Sequence, residues 1–492
     1  MSEEPKEEQT DSQEESKKEE EKGITIKKEE NIQEWYQQVV LKGELADFSP
    51  VKGFMVIRPD GYAIWQRIMD YFNIVLKEMK VKNAYFPLLI PESFFKKEAE
   101  HAEGFAPELA FVLRKDDEKD RLAIRPTSET IMYDSYGKWI RSWRDLPLKI
   151  NQWCNVLRWE VSDVKLFLRS REFLWQEGHC VYATEDDCEK DTKKVLDEYK
   201  RLAEELLAVP VLSGKKTEKE KFPGAKTTYA IESFTPEGKA LQLGTSHNLG
   251  QGFARVFDIQ FVDKNEDEKT PWQNSWGIST RMIGAIVMQH ADDKGLVLPP
   301  RVAEHKVVIV PIMFKGKDKA VLEKARDIRD KLKQYNPILD DRDEYSPGWK
   351  FNEWEMKGIP IRIEIGPRDL LSNQVIVVRR DTGQKQPISI GNVGKLVNKL
   401  LNEIHVAMFT KAKDFLDSSI IEVEDFETFE KVMKSKKLAK GLFCGKTDCE
   451  NQIKEKTQGT SRCIPLDEDK KQGKCIHCNA DCDTIIIFGK TY

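Results

Sequence analysis

The sequence predicts an α+β chain in which an antiparallel-sheet domain is followed by an α/β domain and a small cysteine-bearing domain. Three observations carry this. Short β-type runs between Arg121 and Phe261 are separated by long connections and interrupted by one strong helix, the pattern of an antiparallel sheet with segregated helices. Beyond Pro300 the texture changes to alternating strand and helix over about 100 residues. The stretch from about Met408 holds six of the nine cysteines. At about 150 residues per domain the length fits three domains. The boundaries read as a charged tail over 1–30, the sheet domain over 31–300, the α/β domain over 301–406 and the C-terminal domain over 407–492.

Composition narrows the class. With 79 basic against 84 acidic residues the net charge is −5, which excludes a uniformly basic nucleic-acid coat but not a local basic groove. No run reaches the ~18 apolar residues of a membrane span. Nine cysteines in 492 residues do not make a disulfide scaffold. These features predict a soluble cytoplasmic protein without a membrane partner.

The elements follow in order. Residues 1–30 are almost all Glu, Lys, Ser, Gln and Asp and are expected to be disordered, with order beginning near Ile32. Ile64, Ile68, Phe72, Val75, Leu76 and Met79 recur at helical spacing from Gly61. Lys82–Pro91 is an extended segment whose prolines place it at a sheet border or interface. Strands are expected over Arg121–Arg125, Leu148–Glu160, Phe173–Ala183, Ala240–Leu243 and Phe257–Phe261. A helix opens at Thr184 with Asp187 as a capping pair and buries Val195, Tyr199, Leu202 and Leu206. A second helix follows Arg281, and Gly295–Pro300 is an extended hinge. The α/β part has strands over Val307–Ile312, Ile359–Ile365 and Gln374–Arg379, with helices over Ala320–Leu332 and Val393–His405.

The densest chemistry lies in Asn151–Glu160 and Phe167–His179. Period-two alternation puts Arg158 and Glu160 on one face of the first strand, and Phe173, Trp175, Glu177 and His179 on one face of the second. Unpaired charge on a covered sheet face costs several kcal/mol, so such a face calls for a ligand bringing phosphates and a flat base. In the C-terminal part, Cys444-x4-Cys449 and Cys475-x2-Cys478 form two close pairs suited to a tetrahedral thiolate site. His477 and Cys482 are substitute ligands, and Cys463 is not one.

Arg158-x-Glu160, a loop, and Arg169 followed by Phe173 resemble motif 2 of class II aminoacyl-tRNA synthetases; Arg281 sits where motif 3 carries its arginine. The helix before Pro87 resembles motif 1, the dimer-forming element. Arg125–Thr130, Phe173–His179, Gly244–His247, Asn274–Gly277 and His290–Pro300 narrow the resemblance to prolyl-tRNA synthetases of the archaeal/eukaryotic type, over about Ile32 to Tyr492. Motif 3 here reads Thr280-Arg281 where many relatives have Glu-Arg, a departure the prolyl branch shares.

The resemblance implies a class II catalytic sheet, an anticodon-binding domain and a zinc-binding C-terminal domain. It implies ATP-dependent attachment of L-proline to tRNA(Pro) through prolyl-adenylate, in a homodimer. Arg158 would bridge the proline carboxylate and the α-phosphate, and Arg169 and Arg281 would hold the outer phosphates. Phe173 and Arg281 would sandwich the adenine, Glu160 would read its amino group, and Gln242, Thr245 and Ser279 would contact ATP. Mg²⁺ would accompany the triphosphate, with no ligands evident. Thr127 and Glu129 would hold the proline nitrogen, Trp175, Glu177 and His179 would shape its pocket, and His247 would stand at the rim. Helix capping competes for Thr127 and Glu129, and a satisfied core position for His179. In the turn-rich Tyr345–Gly358 segment and beyond, Phe351 would stack on an anticodon base while Glu355, Arg362 and Arg368 bond guanine edges. Structural Zn²⁺ would take Cys444, Cys449, Cys475 and Cys478, and the terminal Tyr492 would reach back towards the active site. The stretch from His179 to Gln242 leaves no room for an editing domain. The competing readings are a catalytically inactive tRNA-binding paralogue and a related class IIa enzyme such as the threonyl one.

Overall fold

The computed structural model describes residues 23–99, 108–113, 120–313 and 318–492. The expected disordered tail therefore falls largely outside the described residues. Within them, order begins before Ile32: Thr25 N–H donates to Gln38 Oε1 at 2.8 Å, Lys28 N–H donates to Asp293 Oδ1 at 2.8 Å, and the Lys28 ammonium sits 4.5 Å above the Trp35 ring. These are local polar anchors that composition does not reveal.

The chain forms two compact units. One gathers the described residues up to Asp47, Ile57–Tyr62 and His290–His405; the other gathers Phe48–Val56, Ala63–Gln289 and Val406–Tyr492. The second is built on an 11-stranded sheet. Its order runs Ile420–Glu422, Leu438–Phe443, Thr484–Gly489, Thr460–Pro465, Leu212–Lys215, Thr227–Phe234, Ala240–Gly250, Trp272–Ser279, Glu172–Tyr182, Leu148–Leu157 and Lys82–Asn83. All neighbours are antiparallel except the pair at each end. The extended segment expected at a border does occupy one, since Lys82–Asn83 is the edge strand. The cysteine-bearing segment continues this sheet, joined through Ile464 opposite Lys215 and Pro465 opposite Gly214.

Amphipathic periodicity holds where it was strongest. The Pro59–Glu78 helix buries Ile64, Ile68, Phe72, Val75 and Leu76. The Thr184 hydroxyl accepts from Asp187 N–H and caps the Glu185–Arg201 helix. Three expectations are corrected. The first strand stops at Leu157, so Arg158 and Glu160 stand past its end rather than on one strand face. Phe257–Phe261 is not a strand: a short helix covers Gly252–Val256, and only Phe261–Val262 is extended. Phe253, Val256, Phe257, Ile259 and Phe261 are all buried in one cluster around Tyr133; the first three have helical spacing and the last three alternate, so the pattern does not distinguish helix from strand. The segment expected to be turn-rich contains the Pro347–Met356 helix, with Pro347 in its first turn and the Ser346 hydroxyl capping Trp349 N–H at 3.3 Å.

The first unit contains a 5-stranded sheet ordered Ile338–Leu339, Val307–Pro311, Ile361–Ile365, Gln374–Arg379 and Lys385–Ser389. The first two pairings are parallel and the last two antiparallel. Pro387 lies in the outermost strand, where its missing N–H costs no ladder bond. The helix expected over Val393–His405 continues to Asp417.

Candidate active site

A cavity of about 390 Å³ opens on the face of the larger sheet. Its floor is laid by register. Thr245, Gly277 and Glu177 are cross-strand neighbours, as are His247, Ser275 and His179 in the next row. Trp175 pairs with Ser279. Gln242 and Thr245, an odd number of residues apart, both line the cavity because the register shifts between Gln242 and Gly244. Such a bulge resets the alternation of faces. Gly178 has no room for a side chain: a Cβ there would lie 2.2 Å from the Trp276 indole, which forms part of the wall.

Within the floor is a hydrogen-bonded carboxylate. Glu177, 1% exposed, accepts at Oε1 from Ser128 Oγ, from Gln152 Nε2 at 3.0 Å and from Cys154 Sγ at 3.4 Å. Its Oε2 faces His179 Nε2 at 3.0 Å, while His179 Nδ1 meets the Tyr133 hydroxyl at 3.2 Å. Burial opposes ionisation of Glu177, but His179, Ser128 and Gln152 outweigh it and hold the carboxyl below its usual range. Burial likewise opposes protonation of His179, and Glu177 with Glu129 reverses the balance, raising its pKa. His247 goes the other way, to about 3, through burial and the charge of His179. The two histidines that flank Ser275 are thus shifted in opposite directions. The Ser128 hydroxyl occupies the N-cap position of the Glu129–Trp139 helix yet makes no capping bond, because it serves Glu177. Thr127 Oγ1 donates to Glu129 Oε2, so these two face the cavity as a bonded pair rather than a helix cap.

At the other end are cations. Arg158 Nε donates to Pro126 O at 3.3 Å, and the guanidinium lies 5.3 Å from the Phe173 ring and 5.5 Å from Trp175. Arg281 opens the Arg281–His290 helix and donates to Leu168 O at 3.0 Å and Gln242 O at 3.1 Å. Its pKa is pushed down to about 10 by burial and by repulsion from Arg158 and Arg169. Among the described residues, no carboxylate stands within ion-pair distance of Arg158 or Arg281. Glu160 lines the cavity from an exposed loop, and Arg169, which is not among the lining residues, is close enough to repel Arg281. Ser275, Gly277, Glu220 and Phe222 also line it and had no assigned role in the sequence. Ser275 Oγ is buried with no partner among the described residues, a donor free to meet a ligand. Its signal lay in the Asn274–Gly277 run, where only tertiary register shows which residue faces inward.

The four cysteines Cys444, Cys449, Cys475 and Cys478 converge, with all sulfurs within 4.8 Å of one another. Zinc with ~2.3 Å bonds to four thiolates has sulfur–sulfur edges of about 3.8 Å. Cys449 to Cys475 is 3.8 Å and Cys478 to Cys444 is 3.7 Å, so the set fits such an ion. His477 Nδ1 flanks it 3.2 Å from Cys449 Sγ, and Cys463 is buried apart, among Phe234, Leu416, Leu438 and Ile487. In the smaller unit the Arg362 guanidinium covers the Phe351 ring at 4.3 Å while forking onto Glu364. Glu355 pairs with Lys294 at 3.1 Å, and Arg368 is exposed in the Pro367–Leu371 helix.

Residues 111–290 match the class II tRNA synthetase core domain for the G, H, P, S and T enzymes. Residues 306–400 match an anticodon-binding domain, and 426–492 the C-terminal domain of prolyl-tRNA synthetase. Proline--tRNA ligase of Alkaliphilus oremlandii is 49% identical over 468 residues, covering 94% of this chain and 97% of that one. Proline--tRNA ligase 2 of Clostridioides difficile is 47% identical, with 95% and 97% covered. The crystal structure of prolyl-tRNA synthetase from Cryptosporidium parvum complexed with halofuginone and AMPPNP superposes with a TM-score of 0.93 at 41% identity, over 96% of this chain and 100% of that one. The same enzyme complexed with L-proline and AMP gives 0.92 at 40% identity, with 96% and 98% covered.

Proposed function

The chain belongs to the prolyl-tRNA synthetase family, and from that premise we propose how its cavity activates L-proline with ATP and passes the prolyl group to tRNA(Pro). The observation that carries the reading is the pair of half-buried guanidinium groups, Arg158 and Arg281, that share one cavity with no carboxylate within ion-pair distance among the described residues. Such groups await an anion.

In the first step a proline carboxylate oxygen attacks the α-phosphorus, the bond to the β-phosphate breaks, and pyrophosphate leaves. Two anions must approach, and little proton transfer is needed, so orientation and charge stabilisation supply the rate. Arg158 bridges the carboxylate and the α-phosphate. Arg281 and Arg169 hold the outer phosphates, and Arg281 with Phe173 brackets the adenine. Glu160, Gln242, Thr245 and Ser279 contact the nucleotide. Thr127 and Glu129 receive the secondary ammonium, and Trp175 and His247 enclose the ring. Glu177 and His179 shape the pocket floor, with Glu177 Oε1 already occupied by Ser128, Gln152 and Cys154. In the second step a ribose hydroxyl of the terminal adenosine attacks the prolyl carbonyl and AMP leaves.

Mg²⁺ would neutralise the triphosphate. Among the described residues the cavity offers no group of three ligating side chains for it. Zinc on the four cysteines would be structural, as four thiolates leave no open position. Phe351, Glu355, Arg362 and Arg368 read the anticodon, in a chain divided into tail, catalytic, anticodon-binding and C-terminal domains; the matches over 111–290, 306–400 and 426–492 support the last three. The edge position of Lys82–Asn83 and the exposed Tyr85 support dimerisation through this border. Cytoplasmic location fits the activity, and no described helix is long and apolar enough to cross a membrane. Absence of editing and the archaeal/eukaryotic subtype are supported by the short path from His179 to Gln242, which holds one helix, a π-turn and two strands.

Proline-dependent exchange of pyrophosphate into ATP tests the reading. Proline is expected to drive it and threonine is not, and Arg158→Ala is expected to abolish it while tRNA binding persists. A threonine-dependent signal, or unchanged exchange in the variant, would overturn the assignment.

A further inference from the structure

The Thr460–Pro465 strand of the C-terminal segment pairs with Leu212–Lys215. Immediately after Lys215 the chain turns, and Glu220, Lys221, Phe222 and Pro223 form one wall of the cavity. Side chains from the C-terminal segment tie this wall down. Arg462 Nη2 stands 3.5 Å from Glu220 Oε2. Thr217 Oγ1 lies 3.2 Å from Ser461 Oγ and 3.4 Å from Glu450 Oε1, and Ser461 donates to that same oxygen. Thr217 in turn organises the bend, its carbonyl accepting from Glu220 N–H at 3.2 Å and Lys221 N–H at 2.9 Å.

Arg462 is 5% exposed, and a guanidinium so placed persists only when paired. Its second partner is Glu232, at 3.6 Å, whose other oxygen is held by Lys216. Lys216 Nζ also donates to the Arg462 carbonyl at 2.8 Å, so the two segments are laced in both directions. Two residues beyond Glu220, the Phe222 ring lies 4.8 Å from the His247 imidazole. Phe222 N–H donates to Thr228 Oγ1 at 2.9 Å, and that oxygen meets His247 Nδ1 at 3.0 Å. A shift of Glu220 therefore reaches the rim of the amino-acid end of the cavity.

We infer that Arg462 is a positioning residue for the proline pocket: it clamps Glu220, and with it the Thr217–Pro223 wall on which Phe222 and His247 rest. It does so from outside the cavity, without touching substrate. The inference rests on reading the cavity as the site of proline activation.

The test is proline-dependent pyrophosphate exchange by the full-length protein, with rates normalised to titrated active sites, for wild type, Arg462→Ala, Arg462→Lys, Glu220→Ala and the Arg462→Ala/Glu220→Ala double variant. Small misplacements of a binding wall are costly, so Arg462→Ala is expected to raise the KM for proline about tenfold, with kcat per active site changed less than about twofold. Arg462→Lys is expected to recover part of the loss, because an ammonium can meet only one of the two carboxylates well. Glu220→Ala should raise KM similarly, and the double variant should be no worse than Arg462→Ala, the non-additivity of a shared contact. A purely structural role would lower the active fraction and the melting temperature with KM per active site unchanged; that result, or additive effects, overturns the clamp. If Arg462→Ala does not fold, Glu220→Ala and Arg462→Lys decide. Wild-type protein without proline-dependent exchange would sink the functional reading instead, a distinct outcome.

Discussion

Replacing Arg281 by Met is expected to leave the unliganded protein at least as stable as the wild type while removing its grip on ATP. The guanidinium's pKa falls well below its ordinary value, to about 10, through burial first and the neighbouring Arg158 and Arg169 second. A cation whose folded pKa is depressed binds fewer protons in the native than in the unfolded state, so stability rises with pH through that window and the full cost is present at neutral pH. At ~1.4 kcal/mol per pH unit the cost is on the order of 3 kcal/mol. Methionine has similar reach and no charge. It gives up the bonds to Leu168 O and Gln242 O, a loss of about 1 kcal/mol each where water can replace the donor. The balance is about 1 kcal/mol in favour of the variant. With ATP at a hundredfold excess over its Kd the wild type gains about 2.7 kcal/mol, and the variant should gain none of it. Thermal denaturation with and without a non-hydrolysable ATP analogue, beside pyrophosphate exchange, measures both. An unliganded variant melting well below wild type, or one that keeps the analogue's shift, would refute the argument that this cluster is strained for the sake of binding.

Three further outcomes are expected. In the Glu177–His179 pair, the lowered carboxyl contributes stability above its ordinary value of 4.5 that is lost as pH falls through its folded pKa. The raised imidazole contributes stability below 6.5 that is lost as pH rises through its own. Excess stability between those values should appear in wild-type melting curves and vanish in Glu177→Gln; parallel curves would exclude the pair as its source. A strong chelator should release about one zinc ion per chain and lower the melting temperature, since a structural site links binding to folding. Native protein isolated without metal would rule that site out. Arg368→Ala should raise the KM for tRNA(Pro) about tenfold if its guanidinium bonds an anticodon base. An unchanged value would remove Arg368 from the anticodon surface.

Much of this molecule was legible in one dimension because the signals were local. The Ile64–Met79 stripe, the Thr184 cap and the alternating Phe173, Trp175, Glu177 and His179 each depend on residues a few positions apart, and periodicity states which face is covered. The misreadings came where local signals ran out. Gly252–Phe261 combines helical spacing at Phe253, Val256 and Phe257 with alternation at Phe257, Ile259 and Phe261, and Tyr345–Gly358 mixes turn formers with a good helix start at Ser346-Pro347.

What the sequence alone determined was the set of chemical groups and the family pattern they make: guanidiniums, carboxylates, aromatics and thiols at spacings that fold into strands, helices and a thiolate cluster. Only the tertiary structure decided which of them meet. It places Arg158 past a strand end, turns Gln242 and Thr245 to one face through a bulge, and gives Glu177 to Ser128 and Gln152. It also joins Arg462 to Glu220 across the boundary between sequence segments. Strand pairing and buried ion pairing are set by contacts between distant parts of the chain, and the energy that selects them resides in no single stretch of residues.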